Sequence, residues 1–150
     1  MLKGIDDRLG ADVLHCLRAM GHGDLLVVCD TNFPADSIAR ATVLGRLLHM
    51  DNLSAAEAVG AILSVLPLDT FVDDFAGRME VVGEPRTIPE VQREVQAAVD
   101  AADGREARIV PIERFAFYDH ARTAYAVVQT GERRFYGCFA FRKGVIPPDA

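Results

Sequence analysis

Several residue types are scarce in this chain of 150 residues, and each scarcity excludes a class of structure. It has no tryptophan, and only 7% of its residues are aromatic. The three cysteines, Cys16, Cys29 and Cys138, stand apart from one another and show neither the spacing of metal ligands nor that of a disulfide framework. We therefore expect free thiols, no metal centre, and a reducing compartment such as the cytoplasm.

Charged and apolar runs are also missing. The chain carries 16 basic and 22 acidic residues, a formal net charge of −6, and has no basic run, which argues against a nucleic-acid partner. Its apolar runs are far shorter than the roughly 20 residues that a membrane-spanning helix needs. Residues 1–4 lack the apolar core of a signal peptide. We expect neither a membrane nor a nucleic acid as a partner.

Half of the residues are apolar, enough for a real core, and the length suits one domain. Helical and strand patterns alternate along most of the chain, which is typical of an α/β fold. The patterns predict helices over 11–20, 54–65, 90–102 and 113–121, the last being a helix or a turn. They predict strands over 25–29, 79–82, 107–112, 125–130 and 136–143, the last two joined by a turn around 131–132, with a loop over 30–36. The segment 42–50 is ambiguous between strand and helix.

The most informative segment is 20–34, which places a histidine and an aspartate at the two ends of a short apolar run. His22 stands between two glycines, and Asp30 ends the run. His22 is either a surface or capping residue of a turn, or an acid/base group whose ordinary pKa suits neutral pH. Asp30 is either an Asx-turn residue or a carboxylate that accepts hydrogen bonds from sugar hydroxyls. The strand between them, at roughly 3.3 Å per residue, keeps the two side chains apart. Both could serve one ligand only if loops fold over it or a neighbouring subunit completes the site.

Two later segments carry further candidates. Arg114 and Tyr118 are four residues apart and share a face if this stretch is helical, where they offer fixed donors and a ring with a polar tip. The alternative is a surface arginine beside a half-buried tyrosine. Phe115 and Phe117 are expected in the core.

In the second segment, Gly137 interrupts the apolar pattern of 135–138, as glycines do where another backbone approaches a strand. The alternative is an edge strand in which Tyr136 packs against its neighbours. On this pattern alone, the segment is compatible with either structure.

Several segments together resemble the fucose mutarotase and ribose pyranase family, and its fucose branch in particular. They follow the family's order and spacing over nearly the whole chain, and the segment around Arg114 favours the fucose branch. The segments are Met-Leu-Lys-Gly-Ile-Asp at 1–6, Met-Gly-His-Gly-Asp at 20–24, Asp-Thr-Asn-Phe-Pro at 30–34, Leu-Pro-Leu-Asp-Thr at 66–70, Glu-Arg-Phe-Ala-Phe-Tyr at 113–118, Thr-Gly-Glu at 130–132 and Arg-Lys-Gly-Val at 142–145.

The resemblance implies an isomerase that exchanges the α and β anomers of a free sugar, L-fucose or a close relative, without a cofactor. His22 matches the family's acid/base histidine, and Asp30 and Arg114 match positions that hold the sugar. Tyr136 and Gly137 match the first two residues of a Tyr-Gly-Asn segment that also contacts it. The resemblance further implies a ribose-pyranase-like fold, one domain over 1–150 with a central, mostly parallel sheet flanked by helices. It also implies a cytoplasmic, ring-shaped homo-oligomer, an octamer or decamer, with its sites at subunit contacts.

The chain departs from the family at Cys138, which replaces the asparagine of that segment. A thiol is a weak hydrogen-bonding group and does not substitute for an amide that both donates and accepts. Two alternatives therefore remain open, ribose pyranase-type activity and a sugar-binding oligomer with weakened catalysis.

Tyr118 is expected as a wall residue of the sugar site. A thiol enzyme that uses Cys29 or Cys138 has little support, because no histidine lies next to either in sequence.

Overall fold

The computed structural model describes residues 1–105 and 108–150, which form one mixed sheet flanked by helices. No helix within these residues is long and apolar enough to cross a membrane. The helices are α1 (Ala11–Ala19), α2 (Ala35–Ala39), α3 (Ala55–Leu63), α4 (Glu90–Asp103) and α5 (Arg114–Arg122). The strands are β1 (Leu25–Cys29), β2 (Leu48–Met50), β3 (Ala76–Met79), β4 (Val110–Ile112), β5 (Ala126–Thr130) and β6 (Phe139–Arg142).

The sheet has the strand order β2-β5-β1-β6-β3-β4. Strand β6 runs antiparallel to β1 and β3, and the other five strands all run in one direction. The predicted α/β fold with a mostly parallel central sheet is therefore confirmed. Strands β5 and β6 follow each other in sequence but are separated in the sheet by β1, so their connection crosses over the end of β1.

Strand β1 lies in the middle of the sheet and is buried on both faces. All five of its residues are buried, which explains why its sequence is continuously apolar rather than alternating. Leu26 and Val28 pack in a cluster with α1, α3 and α4, whereas Leu25, Val27 and Cys29 pack in a second cluster with α2 and α5. The two cores hold β1 in place, and with it the residues at both of its ends.

The helix termini follow their sequence signals. Ser54 caps α3 through a complete capping box with Glu57, and Gly104 ends α4 in the left-handed conformation. Glu113 caps α5 by accepting hydrogen bonds from the backbone N–H groups of the second and third helical residues. The helices predicted over 11–20, 54–65, 90–102 and 113–121 are confirmed, each to within two residues at either end.

Some predicted strands are displaced. The strand predicted over 79–82 lies at Ala76–Met79 instead. The small residues at its start concealed it, yet they are required there, because a Cβ on Gly77 would lie 2.4 Å from the Ile112 side chain of neighbouring β4. The prediction over 107–112 begins outside the described residues, and its described part forms β4 at Val110–Ile112. The ambiguous segment 42–50 contributes β2 at its end. The predicted loop over 30–36 is two residues too long, because α2 begins at Ala35.

Two expectations near the last strand and α5 were wrong. Residues 136–138 do not belong to the strand predicted over 136–143, because Tyr136 has a φ of 63° and leaves the extended conformation. Phe117 is buried as expected, but Phe115 is 66% exposed. Side chains that are two residues apart on a helix point in different directions. The single buried face of α5 therefore accommodates Phe117 but not Phe115.

An ionic network ties the connection between β5 and β6 to two helices. The buried Glu132 carboxylate accepts hydrogen bonds from the Arg134 guanidinium and, at 3.3 Å, from the backbone N–H of Ala55 in the first turn of α3. Arg134 also pairs with Glu94 on α4. These hydrogen bonds, that from Arg134 first, lower the pKa of Glu132 to about 2. The carboxylate is therefore ionised and bonded throughout the neutral range.

Replacing Glu132 by glutamine is expected to lower the free energy of unfolding at pH 7 by about 1–3 kcal/mol, the scale of a lost charged hydrogen bond. The folded-state pKa lies below the unfolded value, so the ionised carboxylate stabilises the fold above the unfolded value of about 4.5 and loses that effect as the pH falls toward 2. Thermal unfolding of wild type and Glu132→Gln from pH 7 to pH 3 measures both effects. The two curves should converge at low pH.

The matched control is Glu94→Gln, which removes the more exposed partner of the same arginine. It should destabilise the protein less. Equal losses for the two variants, or a difference from wild type that does not shrink below pH 4.5, would contradict the stabilising role of Glu132.

Candidate functional site

A compact cavity of about 190 Å³ lies where β1 ends, and most of the predicted site residues line it. This volume is below the roughly 300–1,000 Å³ typical of pockets for drug-sized ligands, so the cavity suits a compact molecule. Its lining consists of Asp30, Asn32, Phe33, Met79, Arg114, Tyr118, Phe135, Tyr136 and Cys138. Five predicted residues, Asp30, Arg114, Tyr118, Tyr136 and Cys138, are thus brought together from distant parts of the chain. His22 is not among the lining residues.

Asp30 organises the floor of the cavity. Its Oδ1 accepts hydrogen bonds from the backbone N–H groups of Asn32 (2.9 Å) and Phe33 (3.0 Å). Its Oδ2 accepts from the backbone N–H of Gly137 (3.1 Å) and from the thiol of Cys138 (3.4 Å). Asp30 is thus the Asx-turn residue of the first alternative, and it also lines the cavity. Its acceptance of hydrogen bonds from sugar hydroxyls stays a prediction. With four donors on it, the carboxylate fixes the loops that form the cavity.

Tyr136 has a backbone conformation that needs support. A positive φ costs a non-glycine residue about 1–2 kcal/mol, and Tyr136 has a φ of 63°. The Gln92 side chain donates to its carbonyl oxygen at 3.0 Å, and its hydroxyl accepts from the backbone N–H of Val82 at 3.3 Å. Both ends of the residue are therefore anchored, and its ring is held in the cavity wall.

Gly137 is the point of closest approach between two segments. A Cβ at this position would lie 2.8 Å from the side chain of Glu132 and 3.3 Å from the Cβ of Asp30. Any side chain would push the segment away and break the hydrogen bond from its N–H to Asp30. The glycine therefore marks a close approach, but of side-chain atoms to a loop rather than of another backbone to a strand.

Arg114 and Tyr118 form the polar wall on α5. They lie on the same face of the helix, as the four-residue spacing predicted, and Arg114 Nε donates to the Tyr118 hydroxyl at 3.0 Å. This hydrogen bond raises the pKa of Arg114, which stays positively charged. The Tyr118 ring packs on Phe33, with centroids 5.5 Å apart. The cavity therefore presents a guanidinium and a phenol hydroxyl beside apolar rings, a combination suited to a ligand with several hydroxyl groups.

Cys138 is 2% exposed, and burial raises the pKa of its thiol well above the ordinary value. Burial also raises the pKa of Cys29. Because the thiolate is the reactive form of cysteine, neither residue is suited to nucleophilic attack at neutral pH. These surroundings argue against the thiol-enzyme alternative and make Cys138 a hydrogen-bond donor to Asp30.

His22 lies at the opposite end of β1, in the turn between α1 and that strand. The Asp24 carboxylate accepts a hydrogen bond from the N–H of Gly21 at 2.7 Å, and Gly23 has a φ of 84°, which closes the turn. Five strand residues at roughly 3.3 Å each separate this turn from the cavity by about 16 Å. The two predicted parts of the site therefore do not meet within one chain.

Asp69 orients the His22 ring. Its Oδ2 lies 3.2 Å from His22 Nε2, and its own position is fixed because its Oδ1 accepts from the backbone N–H of Phe71 at 2.9 Å. The Phe71 N–H and the contact with His22 lower the pKa of Asp69, which is therefore ionised at neutral pH. The Phe71 ring lies 5.5 Å from the imidazole, centroid to centroid. A buried carboxylate thus holds a half-exposed imidazole, an arrangement suited to proton transfer.

Sequence reasoning missed several residues of these two clusters. Asp69 belongs to the segment 66–70 that resembles the family, but the sequence predicts no role for it. The sequence predicts no role for Gln92 either. Gln92 had a visible signal, because it interrupts the apolar stripe that α4 presents to the core. The remaining cavity residues, Asn32, Phe33, Met79 and Phe135, gave no such signal. No group of three or more histidine, cysteine, aspartate or glutamate residues in the described parts of the chain could hold a metal ion.

Comparisons with known proteins agree with a cavity that binds a sugar. The chain is 37% identical to the L-fucose mutarotase of Actinobacillus pleuropneumoniae serotype 5b (strain L20), covering 98% of this chain and 99% of that protein. The crystal structure of the protein Atu2016 superposes with a TM-score of 0.96 at 62% identity, covering 98% of this chain and 97% of the other. The crystal structure of the Streptococcus pneumoniae fucose mutarotase in complex with L-fucose gives a TM-score of 0.87 at 32% identity, with coverages of 97% and 100%. The model of the RbsD / FucU transport protein family matches residues 3–146, and the chain belongs to that family.

Proposed function

We propose that this protein is a mutarotase that exchanges the α and β anomers of L-fucose or a closely related aldose. The observation that carries the proposal is the gathering of five predicted sugar-contacting residues around one compact cavity, the residues Asp30, Arg114, Tyr118, Tyr136 and Cys138. Several relatives that are similar over nearly their whole length carry the names fucose mutarotase or L-fucose mutarotase, and one was solved with L-fucose bound.

The reaction needs two proton transfers and no redox chemistry. A proton leaves the anomeric hydroxyl and another reaches the ring oxygen, the ring opens to the aldehyde, the C1–C2 bond rotates, and the ring recloses on the other face. Arg114 and Tyr118 donate hydrogen bonds that orient the sugar hydroxyls. The Tyr136–Cys138 backbone forms one wall, and Asp30 holds that wall in place. The chemistry requires no metal or cofactor.

His22 is the proposed proton-transfer group, and it acts on a sugar bound in the cavity of a neighbouring subunit. Two exposed surfaces support this. Beside His22, Phe71 is 72% exposed, and at the cavity rim Phe115 and Phe135 are 66% and 73% exposed. Contiguous exposed apolar surface marks protein interaction sites, and we infer that a partner covers these aromatic side chains. Contact between the His22 side of one subunit and the cavity rim of the next joins two different surfaces.

A contact of this head-to-tail kind closes into a ring when its rotation divides the circle. We therefore propose a ring-shaped homo-oligomer. The resemblance to the fucose mutarotase and ribose pyranase family implies an octamer or decamer, and we propose that it works in the cytoplasm with its free thiols reduced. In this arrangement Asp69 keeps the imidazole aimed across the contact and stabilises the positive charge that the ring acquires when it takes a proton.

The activity is tested by saturation-transfer NMR between the two anomers of a free sugar. We expect the protein to accelerate exchange of L-fucose over buffer, with a smaller effect on D-ribose and D-galactose. Acceleration of D-ribose alone would replace the fucose assignment by a ribose pyranase-type activity. Sugar binding without acceleration would identify a non-catalytic sugar-binding oligomer, and the absence of both would overturn the proposal.

The shared site is tested with two inactive variants. His22→Gln is expected to lose the contribution of an acid/base group, about 10²-fold or more in rate until the uncatalysed rate is reached, and Arg114→Ala is expected to lose sugar affinity. When the two are co-expressed and assemble at random, about one quarter of the head-to-tail contacts combine an intact His22 with an intact Arg114. The mixture should therefore regain about a quarter of the wild-type rate.

His49→Gln is the matched control, because His49 also contacts an aspartate but lies outside both clusters. It should leave exchange unchanged. A mixture no more active than its components would contradict a site shared between subunits. A near-normal rate for His22→Gln alone would remove this histidine from the mechanism.

The replacement of Cys138 is expected to reveal the ligand. An amide at this position gives Asp30 a stronger donor than the thiol and can also accept from a sugar hydroxyl, so Cys138→Asn should tighten L-fucose binding. One hydrogen bond between uncharged groups corresponds to about 0.5–1.5 kcal/mol, or roughly 2- to 13-fold in affinity. Cys138→Ser is the control, since it donates to Asp30 but does not reach the sugar. Weaker binding by Cys138→Asn would indicate a sugar that presents an apolar group there.

A further inference from the structure

A second cavity, of about 400 Å³, lies between α4 and the edge strand β4, and positive charge surrounds it. It is lined by Arg78, Ile88, Gln92, Arg93, Gln96, Arg108, Ile109, Val110 and Pro111. Three of these nine residues are arginines, and none of the lining residues in the described part of the chain is acidic. In a chain whose net charge is −6, this concentration of uncompensated positive charge is not a consequence of composition. We call this site the arginine cavity.

Arg78 is the central residue of the arginine cavity. It is 7% exposed, and its two hydrogen bonds go to neutral oxygens, the Gln92 Oε1 at 2.9 Å and the Pro85 carbonyl at 3.4 Å. No carboxylate in the described residues forms an ion pair with it, and the nearest electrostatic influence of an acid comes from Glu80. Burial lowers the pKa of Arg78, and the charge of Glu80 opposes this effect. Buried charges are normally paired, yet none of the described residues forms an ion pair with Arg78.

Gln92 fixes the Arg78 guanidinium in place. Its amide nitrogen donates to the carbonyl oxygens of Met79 (2.7 Å) and Tyr136 (3.0 Å), which leaves its amide oxygen no orientation except toward Arg78. The guanidinium is therefore preorganised and does not have to be ordered when a ligand arrives. Preorganised donors bind more tightly because the entropic cost has already been met.

Arg93 and Arg108 extend the positive charge to the cavity mouth. Both are exposed, and neither takes part in an ion pair within residues 1–105 and 108–150. Elsewhere in the same part of the chain, seven arginines pair with a carboxylate, whereas Arg18, Arg86, Arg114 and Arg133 do not. Within the described residues, none of the three arginines of this cavity pairs with a carboxylate.

We propose that the arginine cavity binds a small molecule that carries a phosphate monoester. Three guanidinium groups match the roughly two negative charges and the three terminal oxygens of such a group. Ile88, Ile109 and Val110 supply apolar contacts for the body of the ligand. The cavity volume lies within the range of small-molecule pockets. This inference concerns a site apart from the sugar cavity and does not depend on the proposed activity.

The test is a titration with glycerol 3-phosphate, which cannot form a sugar ring and so is no substrate for anomer exchange. Methyl groups of Ile88, Ile109 and Val110 report the arginine cavity, and those of Ile38 and Ile146, outside its lining, serve as reference signals. In methyl NMR of the full-length protein, we expect saturable shifts in the first group alone. Glycerol should cause none, and glycerate should bind more weakly because it carries one negative charge.

Substitutions at the mouth separate binding from folding. Arg93→Gln combined with Arg108→Gln changes only exposed side chains and should weaken glycerol 3-phosphate binding roughly tenfold or more, since the loss of even one charged hydrogen bond reduces affinity by about that factor. Arg78→Gln should abolish saturation if the variant folds. Arg122→Gln, which removes one charge from α5 outside the cavity, should change the affinity little.

Three results would overturn the proposal. The first is the absence of shifts in the cavity methyl groups up to millimolar glycerol 3-phosphate. The second is equal binding of glycerate, which would remove the assignment to phosphate monoesters. The third is an equal loss per removed charge for Arg122→Gln and the double variant, which would mean that net charge rather than the cavity attracts the anion. Loss of sugar exchange with these shifts intact would count against the proposed function and leave this site standing.

Discussion

The Asp30 carboxylate accepts four hydrogen bonds, and the candidate sugar cavity depends on them. Its oxygens join the end of β1 to the loop over 32–33 and to the segment 137–138 that precedes β6. Because β1 is buried on both faces, it supplies a rigid base for this carboxylate. Two loops from distant parts of the chain are thereby placed against each other with the cavity between them. A carboxylate without these donors would be costly to bury, so the loops and the buried charge require each other.

Supporting residues extend this arrangement outward from Asp30. Gly137 permits the close approach, and Tyr136 takes up the unfavourable backbone conformation that this approach requires. Gln92, buried on α4, holds the Tyr136 carbonyl and links it through its amide to Arg78 on β3. The wall of the sugar cavity and the floor of the arginine cavity are therefore two sides of one hydrogen-bonded layer. A single buried amide serves both sites, which explains why a helix face otherwise lined by valines contains a glutamine.

Most helices and strands and most cavity residues were predictable from the sequence. The position of one strand and the partners of the site residues were not, and each failure has a physical reason. Continuous burial makes β1 apolar throughout, so its bounds were predicted without error, and with them the residues at its ends. The prediction for β3 was displaced along the chain because close packing against Ile112 requires a glycine at position 77, and glycine normally argues against a strand. The partners of Asp30 were not predictable, because backbone N–H groups carry no sequence signal. The role of Asp69 was not predictable, because its partner His22 lies 47 positions earlier in the sequence.

The central strand also constrains how this chain works. Proton transfer needs an acid/base group within hydrogen-bond reach of the reacting oxygen, yet His22 and the cavity occupy opposite ends of β1. No movement of the short turns at either end spans a buried strand of five residues. The His22 ring is nevertheless held in a fixed orientation. Asp69 contacts the ring through one carboxylate oxygen and accepts a hydrogen bond from the backbone N–H of Phe71 through the other. An oriented, half-exposed imidazole and an open cavity that lacks one are complementary, and in the proposed ring the repetition of the same chain would bring each to the other without any change in fold. In that ring, the rigidity that separates the two groups within a subunit would fix their distance between subunits.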